Sequence, residues 1–367
     1  MPSQTIRARL DALRQRMAET DADLVALGPG AHMQWLLGYR PHADERPCLL
    51  LVGKAGEAML IPALNAEEAR EQVALALHGW SDADGPDAAL SRALESIGAT
   101  DARTVVLDET MRADFALLVL GALPGASHVF TGDTVGALRM RKDDEECAAL
   151  KRNALVNDRA MRAAFEAIRP GRTEIEIADA IAARFEAEGA RPLFMIVGSG
   201  SNGAFPHHAT GDRKLAEGDA IVIDIGGRKD GFPSDMTRMA AVGHAPEGYA
   251  DVHAVVERAV QAALAAARPG VMAKSVDAAA RDVIAQAGYG DFFVHRTGHG
   301  LGIEVHEPPY LTSVCETVLE EGMVFSIEPG IYLPGRFGIR LEEIVILRAD
   351  GPQILSELPR DLFVAAN

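Results

Sequence analysis

Apolar positions near the start of the chain recur at helical spacing, with Ile6, Leu10, Leu13 and Met17 on one face. Strand and helix patterns then alternate. DLVALG (23–28) and TVVLDE (104–109) read as strands, PCLLLVGKAGEAMLI (47–61) as a hairpin, and ADFALLVLGAL (113–123) as a helix. These elements predict a small α/β domain over residues 1–137 with its own core and no catalytic cluster. The stretch SHVFTGDTVGALRMRKDDEE (127–146) reads as the loop at its end, where charge rises before a new long helix. Residues 138–367 form the expected second domain.

That second part repeats itself. AMRAAFEAIRPGRTEIEIADAIAARFEAEG ends at Gly189, and AVQAALAAARPGVMAKSVDAAARDVIAQAG ends at Gly288. Both read helix, Arg-Pro-Gly turn, helix, glycine stop. In the first copy Thr173 and Glu176 make a capping-box pattern that opens the second helix. The same offset sets His207 against His306. After an insertion, EGDAIVIDIG (217–226) matches EGMVFSIEPG (321–330), so that Asp224 aligns with Glu328. A further acid follows each, Asp235 in GFPSD and Glu342 in PGRFGIRLEE. Each half thus supplies a histidine and two carboxylates, and a pseudo-twofold arrangement would bring them to one place. The segment HRTGHGLGIEVHE (295–307) adds His295 and His299, and its alternating glycines argue against a helix.

Length and charge narrow the function. At 367 residues two domains are expected, and a net charge of -17 disfavours nucleic acid or an anionic membrane as partner. No apolar run approaches the roughly 20 residues that span a bilayer, and the first residues carry no signal-peptide pattern. Cys48, Cys147 and Cys315 are scattered and odd in number, as free thiols of a cytoplasmic protein would be.

A single acid inside IVIDI reads as a hydrogen-bonded core acid, and a single histidine as a satisfied imidazole. Four acids at repeat-related positions read differently, because gathered carboxylates repel and raise one another's pKa. Divalent cations relieve that conflict. The oxygen-rich set with one imidazole suits two ions of the Mn²⁺ or Co²⁺ type, or Zn²⁺. Such a pair polarises a carbonyl and activates water, which makes this a metallohydrolase constellation. His299, between Gly298 and Gly300, is the expected nitrogen ligand, its bare neighbours allowing close approach to a metal. His295 and His306 are left for proton handling.

Five blocks carry a resemblance: PHHATGDRKLAEGDAIVIDIG, GFPSDMTR, HRTGHGLGIEVHE, EGMVFSIEPGIY and GIRLEE. In order and spacing they resemble the pita-bread metallopeptidases, and within them the Xaa-Pro dipeptidase (prolidase) and aminopeptidase P branch. The resemblance implies an α+β protein: a C-terminal pita-bread (creatinase/aminopeptidase) fold with a pseudo-twofold internal repeat, preceded by a smaller α/β domain. It implies Asp224, Asp235, His299, Glu328 and Glu342 as ligands of two divalent ions, with Asp235 and Glu342 bridging. Asp224 would serve one ion, His299 and Glu328 the other. His207 and His306 would contact substrate around the scissile amide, His295 would shuttle protons, and Glu328 would double as general base. Arg340 and Tyr332 match residues of the proline-specific branch.

Two departures stand out. His208 follows the first active-site histidine, leaving open which of the pair faces the site, although alignment favours His207. Glu343 follows Glu342; in a strand the two face opposite sides, so only one can be a ligand. The implied activity is removal of an N-terminal residue ahead of proline from a small peptide by a homodimer, as a dipeptidase in preference to an aminopeptidase P. A hydrolase of another small amide, a methionine aminopeptidase, a metal-free creatinase-like hydrolase and a non-catalytic peptide-binding module are the competing readings.

Overall fold

The computed structural model describes residues 3–365. The chain divides into two compact units between Arg139 and Met140. The first unit runs α1 (Ser3–Glu19), β1 (Leu24–Leu27), α2 (Ala31–Leu37), β2 (Leu49–Gly53), β3 (Glu57–Pro62), α3 (Ala66–Gln72), β4 (Ala76–Trp80), α4 (Asp87–Ser96), β5 (Thr104–Leu107), α5 (Ala113–Ala122) and β6 (Ser127–Phe130), ending in α6 (Val135–Met140). Its six-stranded sheet has the order β4-β3-β2-β1-β5-β6. β1 is buried along its whole length, which explains its unbroken apolar run. β2 and β3 pair antiparallel as the expected hairpin. α1 buries Leu10, Leu13 and Met17, with Ile6 half-buried at the margin.

The stretch 127–146, read as a loop, instead contains β6, α6 and the start of the next helix. β6 pairs in parallel with β5 at the sheet edge and exposes all four of its side chains. Backbone pairing alone makes it a strand, and nothing in its side-chain pattern announces that.

The second unit opens with α7 (Asp144–Ala167), whose N-terminus carries a capping box from Asp143 and Glu146. It continues α8 (Glu174–Ala187), β7 (Arg191–Ser199), β8 (Ala220–Lys229), β9 (Phe232–Pro233) and β10 (Met236–Val242). The second half runs α9 (Tyr249–Ala266), α10 (Ala273–Gln286), β11 (Gly298–Gly300), β12 (Glu307–Leu311), β13 (Val324–Ile327), β14 (Gly330–Leu333), β15 (Phe337–Arg340), β16 (Glu343–Arg348), β17 (Gly351–Ile354) and β18 (Phe363–Ala365). One sheet has the order β18-β10-β8-β7 with β9 beside β8, another β12-β11-β13-β16-β17, and β14 and β15 form a separate pair.

The internal repeat is physical. Gly171 and Gly270 hold the two Arg-Pro-Gly turns at φ +85° and +89°, and Gly218 and Gly322 adopt +83° and +86°. The short bridges Thr173–Lys214 and Met272–Val318 recur at matched places. Thr173 caps α8 with a full capping box, whereas Met272 opens α10 without a side-chain cap. Each half has its own core. Ile177, Ile181 and Phe185 pack with Ile221, Ile223 and Ile225 in the first, and Val256, Val276 and Ile284 with Phe325 and Ile327 in the second. This is the mixed α/β pita-bread architecture with a smaller α/β unit ahead of it. Among the described residues no helix is long and apolar enough to cross a membrane.

Candidate metal centre

The odd positions of β8, Ile221, Ile223 and Ile225, point into the first core, so Asp224 emerges on the opposite face. Thr237 of β10 pairs directly with it. Asp235 sits just before β10, His299 on β11, Glu328 just after β13 and Glu342 just before β16. The ligand atoms of Asp224, Asp235 and Glu342 lie within 4.8 Å of one another, and so do those of His299, Glu328 and Glu342. A third overlapping group joins Asp235, His299 and His306. The two halves therefore converge, with Glu342 common to two adjoining donor sets.

This donor set fits divalent cations. Asp224 Oδ1 and Glu342 Oε1 are buried acceptors that no protein donor satisfies, a cost of about 1–3 kcal/mol each. His299 Nδ1 lies 3.1 Å from the Gly300 carbonyl and must donate to it. Its Nε2 then presents a lone pair 3.2 Å from Glu328 Oε1 and 3.5 Å from Asp235 Oδ2, acceptor facing acceptors. A cation held between them would make that arrangement favourable.

Electrostatics agree. Burial, then the charges of Glu342, Asp224 and Glu328, pushes Asp235 well above the usual carboxylate range. Burial and the neighbouring acids Glu328 and Asp224 do the same to Glu342. Burial lifts Glu328 to about 7, with Arg340 opposing and Asp224 adding to the rise. Burial, helped by His306, pushes His299 down to about 3, which keeps the ring neutral as a ligand must be.

Arg340 organises the surroundings. It donates to Asp224 Oδ2 (2.7 Å), Thr237 Oγ1 (2.9 Å), Tyr332 Oη (2.8 Å) and the Pro206 carbonyl (3.2 Å). The Thr237 hydroxyl in turn donates a hydrogen bond to Glu342 Oε2 at 2.9 Å. Tyr332, taking a bond from Arg340, donates to His295 Nε2 at 2.8 Å, and His295 Nδ1 donates to the Arg296 carbonyl at 2.7 Å. His295 is therefore a neutral, fully engaged imidazole, pushed down to about 4 by burial and by Arg340.

The histidine pair divides clearly. His208 bonds Glu174 at 2.8 Å, a fully buried acid that also holds Ser199, Asn202 and Gly211. His207 is exposed and lies near enough for its charge to bear on His295 and His306. The His306 ring stands edge-on to that of His299 with centroids 4.2 Å apart. Glu343 turns the other way, onto Arg238 (3.0 Å) and Arg360 (2.8 Å), as strand alternation requires.

One expectation needs revising. The glycines of the histidine segment were expected to admit a metal, but backbone already fills the space their side chains would need. A Cβ on Gly298 would lie 1.9 Å from the Ser326 carbonyl, and one on Gly300 2.3 Å from that of Pro308. They let β11 pass between β12 and β13. The first unit, expected to hold no catalytic cluster, nevertheless gathers His32, Asp108 and Glu109 with ligand atoms within 4.8 Å. His32 lies far from both acids in sequence, so no spacing could reveal the group.

Comparison with known proteins agrees with this geometry. Residues 148–349 match the model of metallopeptidase family M24, and residues 9–141 match the creatinase/prolidase N-terminal domain. A Mycobacterium tuberculosis protein named "Probable dipeptidase PepE" is 42% identical over 356 residues, 95% of this chain and 94% of the relative. An Xaa-Pro dipeptidase of Lactobacillus helveticus is 34% identical over 362 residues, covering 96% of this chain and 98% of its own. The crystal structure of dipeptidase PepE from Mycobacterium ulcerans covers 100% of both chains with a TM-score of 0.94 at 37% identity. With its four carboxylates and one imidazole gathered from two repeated halves, the chain belongs to metallopeptidase family M24.

Proposed function

We propose that the protein is an Xaa-Pro dipeptidase that hydrolyses the bond between an N-terminal residue and proline. The observation that carries this reading is the convergence of five donors on two overlapping positions with orphaned acceptors at Asp224 and Glu342. Asp224, Asp235 and Glu342 would hold one divalent ion, and His299, Glu328 and Glu342, with Asp235 beside them, would hold the other. Mn²⁺ is the proposed metal, because hard oxygen donors outnumber the single nitrogen four to one; Co²⁺ and Zn²⁺ are its competitors. When bound, the ions supply Lewis acidity toward the scissile carbonyl and lower the pKa of a water.

The chain's own groups do the rest. His207 and His306 flank the amide and stabilise charge that develops on it. Glu328, oriented by Ser326 Oγ at 3.0 Å, takes a proton from water at a carboxylate oxygen. Arg340 and Thr237 fix the ligands, and Tyr332 is fixed in turn between Arg340 and His295. In the absence of substrate His295 holds Tyr332 in place; it can shuttle a proton only if that bond breaks. The enzyme is proposed to act as a homodimer, as its resemblance implies, and in the cytoplasm, in keeping with its three free cysteines.

The test is hydrolysis of Ala-Pro, Met-Pro and Ala-Pro-Ala with Mn²⁺, Co²⁺ or Zn²⁺ supplied in turn and a chelator control. Metal-dependent cleavage of the dipeptides is expected. Preference for Ala-Pro-Ala would make the protein an aminopeptidase P instead, and cleavage of none would overturn the proline-specific reading.

A further inference from the structure

A dipeptide differs from a longer peptide in one respect at the reaction centre. Its free carboxylate carbon lies two bonds, about 2.5 Å, from the scissile nitrogen. Whatever recognises that anion must stand beside the groups that handle the amide, and it must offset the repulsion of four nearby carboxylates. A permanent cation with donors to spare is the required chemistry.

The cations around the centre are nearly all committed. Arg340 spends its donors on Asp224, Thr237, Tyr332 and Pro206. Arg281 is tied to Asp277 and to the carbonyls of Phe293 and His295. Lys142 is buried against Glu307 at 2.7 Å. Arg296 differs. Among the described residues its guanidinium has no carboxylate partner and no hydrogen-bond acceptor, and it lies over the face of Tyr310, 4.6 Å from the ring centroid. The residue is half-buried, so the group is neither lost in solvent nor sealed in the core.

Its location follows from strand register. Tyr310 on β12 is the direct antiparallel partner of His299 on β11, so the two side chains share the face that carries the metal donors. A guanidinium laid on that ring is held at the margin of the site. Its charge bears on His299, His306 and Glu328, which places it beside the groups at the amide. Lying over Tyr310 without a protein acceptor, the guanidinium keeps its N–H donors for a carboxylate.

We propose that Arg296, oriented by Tyr310, is the subsite for the C-terminal carboxylate of a dipeptide, and that this ion pair selects dipeptides over longer substrates. The inference rests on the Xaa-Pro peptidase reading above. In a longer peptide the same position is a neutral carbonyl, which gains little from a cation and leaves the next residue crowded against Tyr310.

The experiment compares Ala-Pro with Ala-Pro-NH2, identical except for the carboxylate, using metal-loaded enzyme. The wild type is expected to favour Ala-Pro by about 10- to 100-fold in kcat/KM, mostly through KM. In Arg296→Gln that ratio falls toward one, while Arg296→Lys, which keeps the charge but not the flat fork, retains part of it. Metal content and melting temperature of both variants show whether the fold and centre survive. An unchanged ratio in Arg296→Gln overturns the proposal, and so does equal cleavage of both substrates by the wild type. Equal loss on both substrates in both variants overturns it too, because that marks a structural role. Wild-type enzyme that cleaves no Xaa-Pro substrate fails the peptidase reading itself, a result distinct from a flat ratio.

Discussion

His32, Asp108 and Glu109 in the first unit lie as close together as His299, Glu328 and Glu342 in the second. Proximity does not make them alike. In the first unit Arg139 donates to His32 Nδ1, which leaves His32 Nε2 to donate to Thr131 Oγ1. Thr131 in turn donates to Glu109. Asp108 receives the Gly28 and Thr110 amides and the Thr110 hydroxyl. Its donors run in one direction and every step is matched. In the second unit one oxygen each of Asp224, Glu342 and Glu343 lacks a donor among the described residues, and the first two belong to the cluster in which an imidazole lone pair faces carboxylates. The candidate metal centre is thus marked by unsatisfied acceptors that converge with an imidazole lone pair, which neither a count of acids nor a single orphaned oxygen such as that of Glu343 reveals.

The strongest way to break that comparison is Glu342→Gln. Glu342 belongs to two donor sets, so one neutral oxygen in its place weakens both positions. Activity is expected to fall by about 1,000-fold or more, in keeping with the several kcal/mol a catalytic metal supplies. Elemental analysis of the purified variant is expected to find less than one ion per chain. A full metal complement would remove Glu342 from the ligand set.

A smaller effect is expected at Thr237→Val, which keeps the shape of a fully buried residue. It removes the donor to Glu342 Oε2 and the acceptor of Arg340 Nε. Partners of this kind typically change metal affinity or activity by about 10- to 100-fold. Metal titration and kcat measured on one preparation would show which of the two moves. No change in either would mean that the hydroxyl does not orient the ligand.

These two residues also mark the limit of what the sequence discloses. Asp224 and Glu328 were legible because a repeat at nearly constant offset set one apolar run holding an acid against another, and Asp235 and Glu342 because a further acid followed each run after a turn. His299 followed from its neighbours in one short segment. Thr237, by contrast, matters through Arg340, 103 residues away. Arg296 and Tyr310 meet only because β11 and β12 pair. Contacts of this sort depend on register, which no local periodicity encodes. The same holds for β6, whose side chains are all exposed, and for His208, which Glu174 draws away from the site. The second unit was readable to the degree that its two halves repeat each other.

Asp108→Asn sharpens the comparison from the other side. The change leaves one of its donors facing an NH2 group in a buried position, so stability is expected to drop by about 1–3 kcal/mol. Metal stoichiometry and kcat are expected to stay at wild-type values. A lost metal ion in this variant would make the first-unit cluster a binding site after all, and the rule drawn from satisfied donors would fail with it.

The smallest effect concerns pH, and it tests the sign of the same argument. Donors that match an acid lower its pKa, whereas burial beside another acid raises it, as in Glu328, which burial and Asp224 lift to about 7 against Arg340 and the single donor Ser326. Asp23 in the first unit is the matched case. It takes Lys54 Nζ at 2.5 Å and the amides of Arg103 and Thr104 at 2.9 and 3.0 Å. The Lys54 bond and the Arg103 amide hold it down at about 2, below its ordinary 3.8. A folded-state pKa below the unfolded one means that the ionised form stabilises the fold. The contribution is complete above pH 3.8 and disappears as pH falls through about 2. With 27% of the side chain exposed, water screens the pair and about 0.2–1 kcal/mol is expected. Calorimetry of the whole chain should therefore find Asp23→Asn less stable than wild type at pH 7. That gap should narrow only when the pH drops below about 3.8, toward 2. A gap that widens on acidification would mean that these donors do not hold the carboxylate in its charged form.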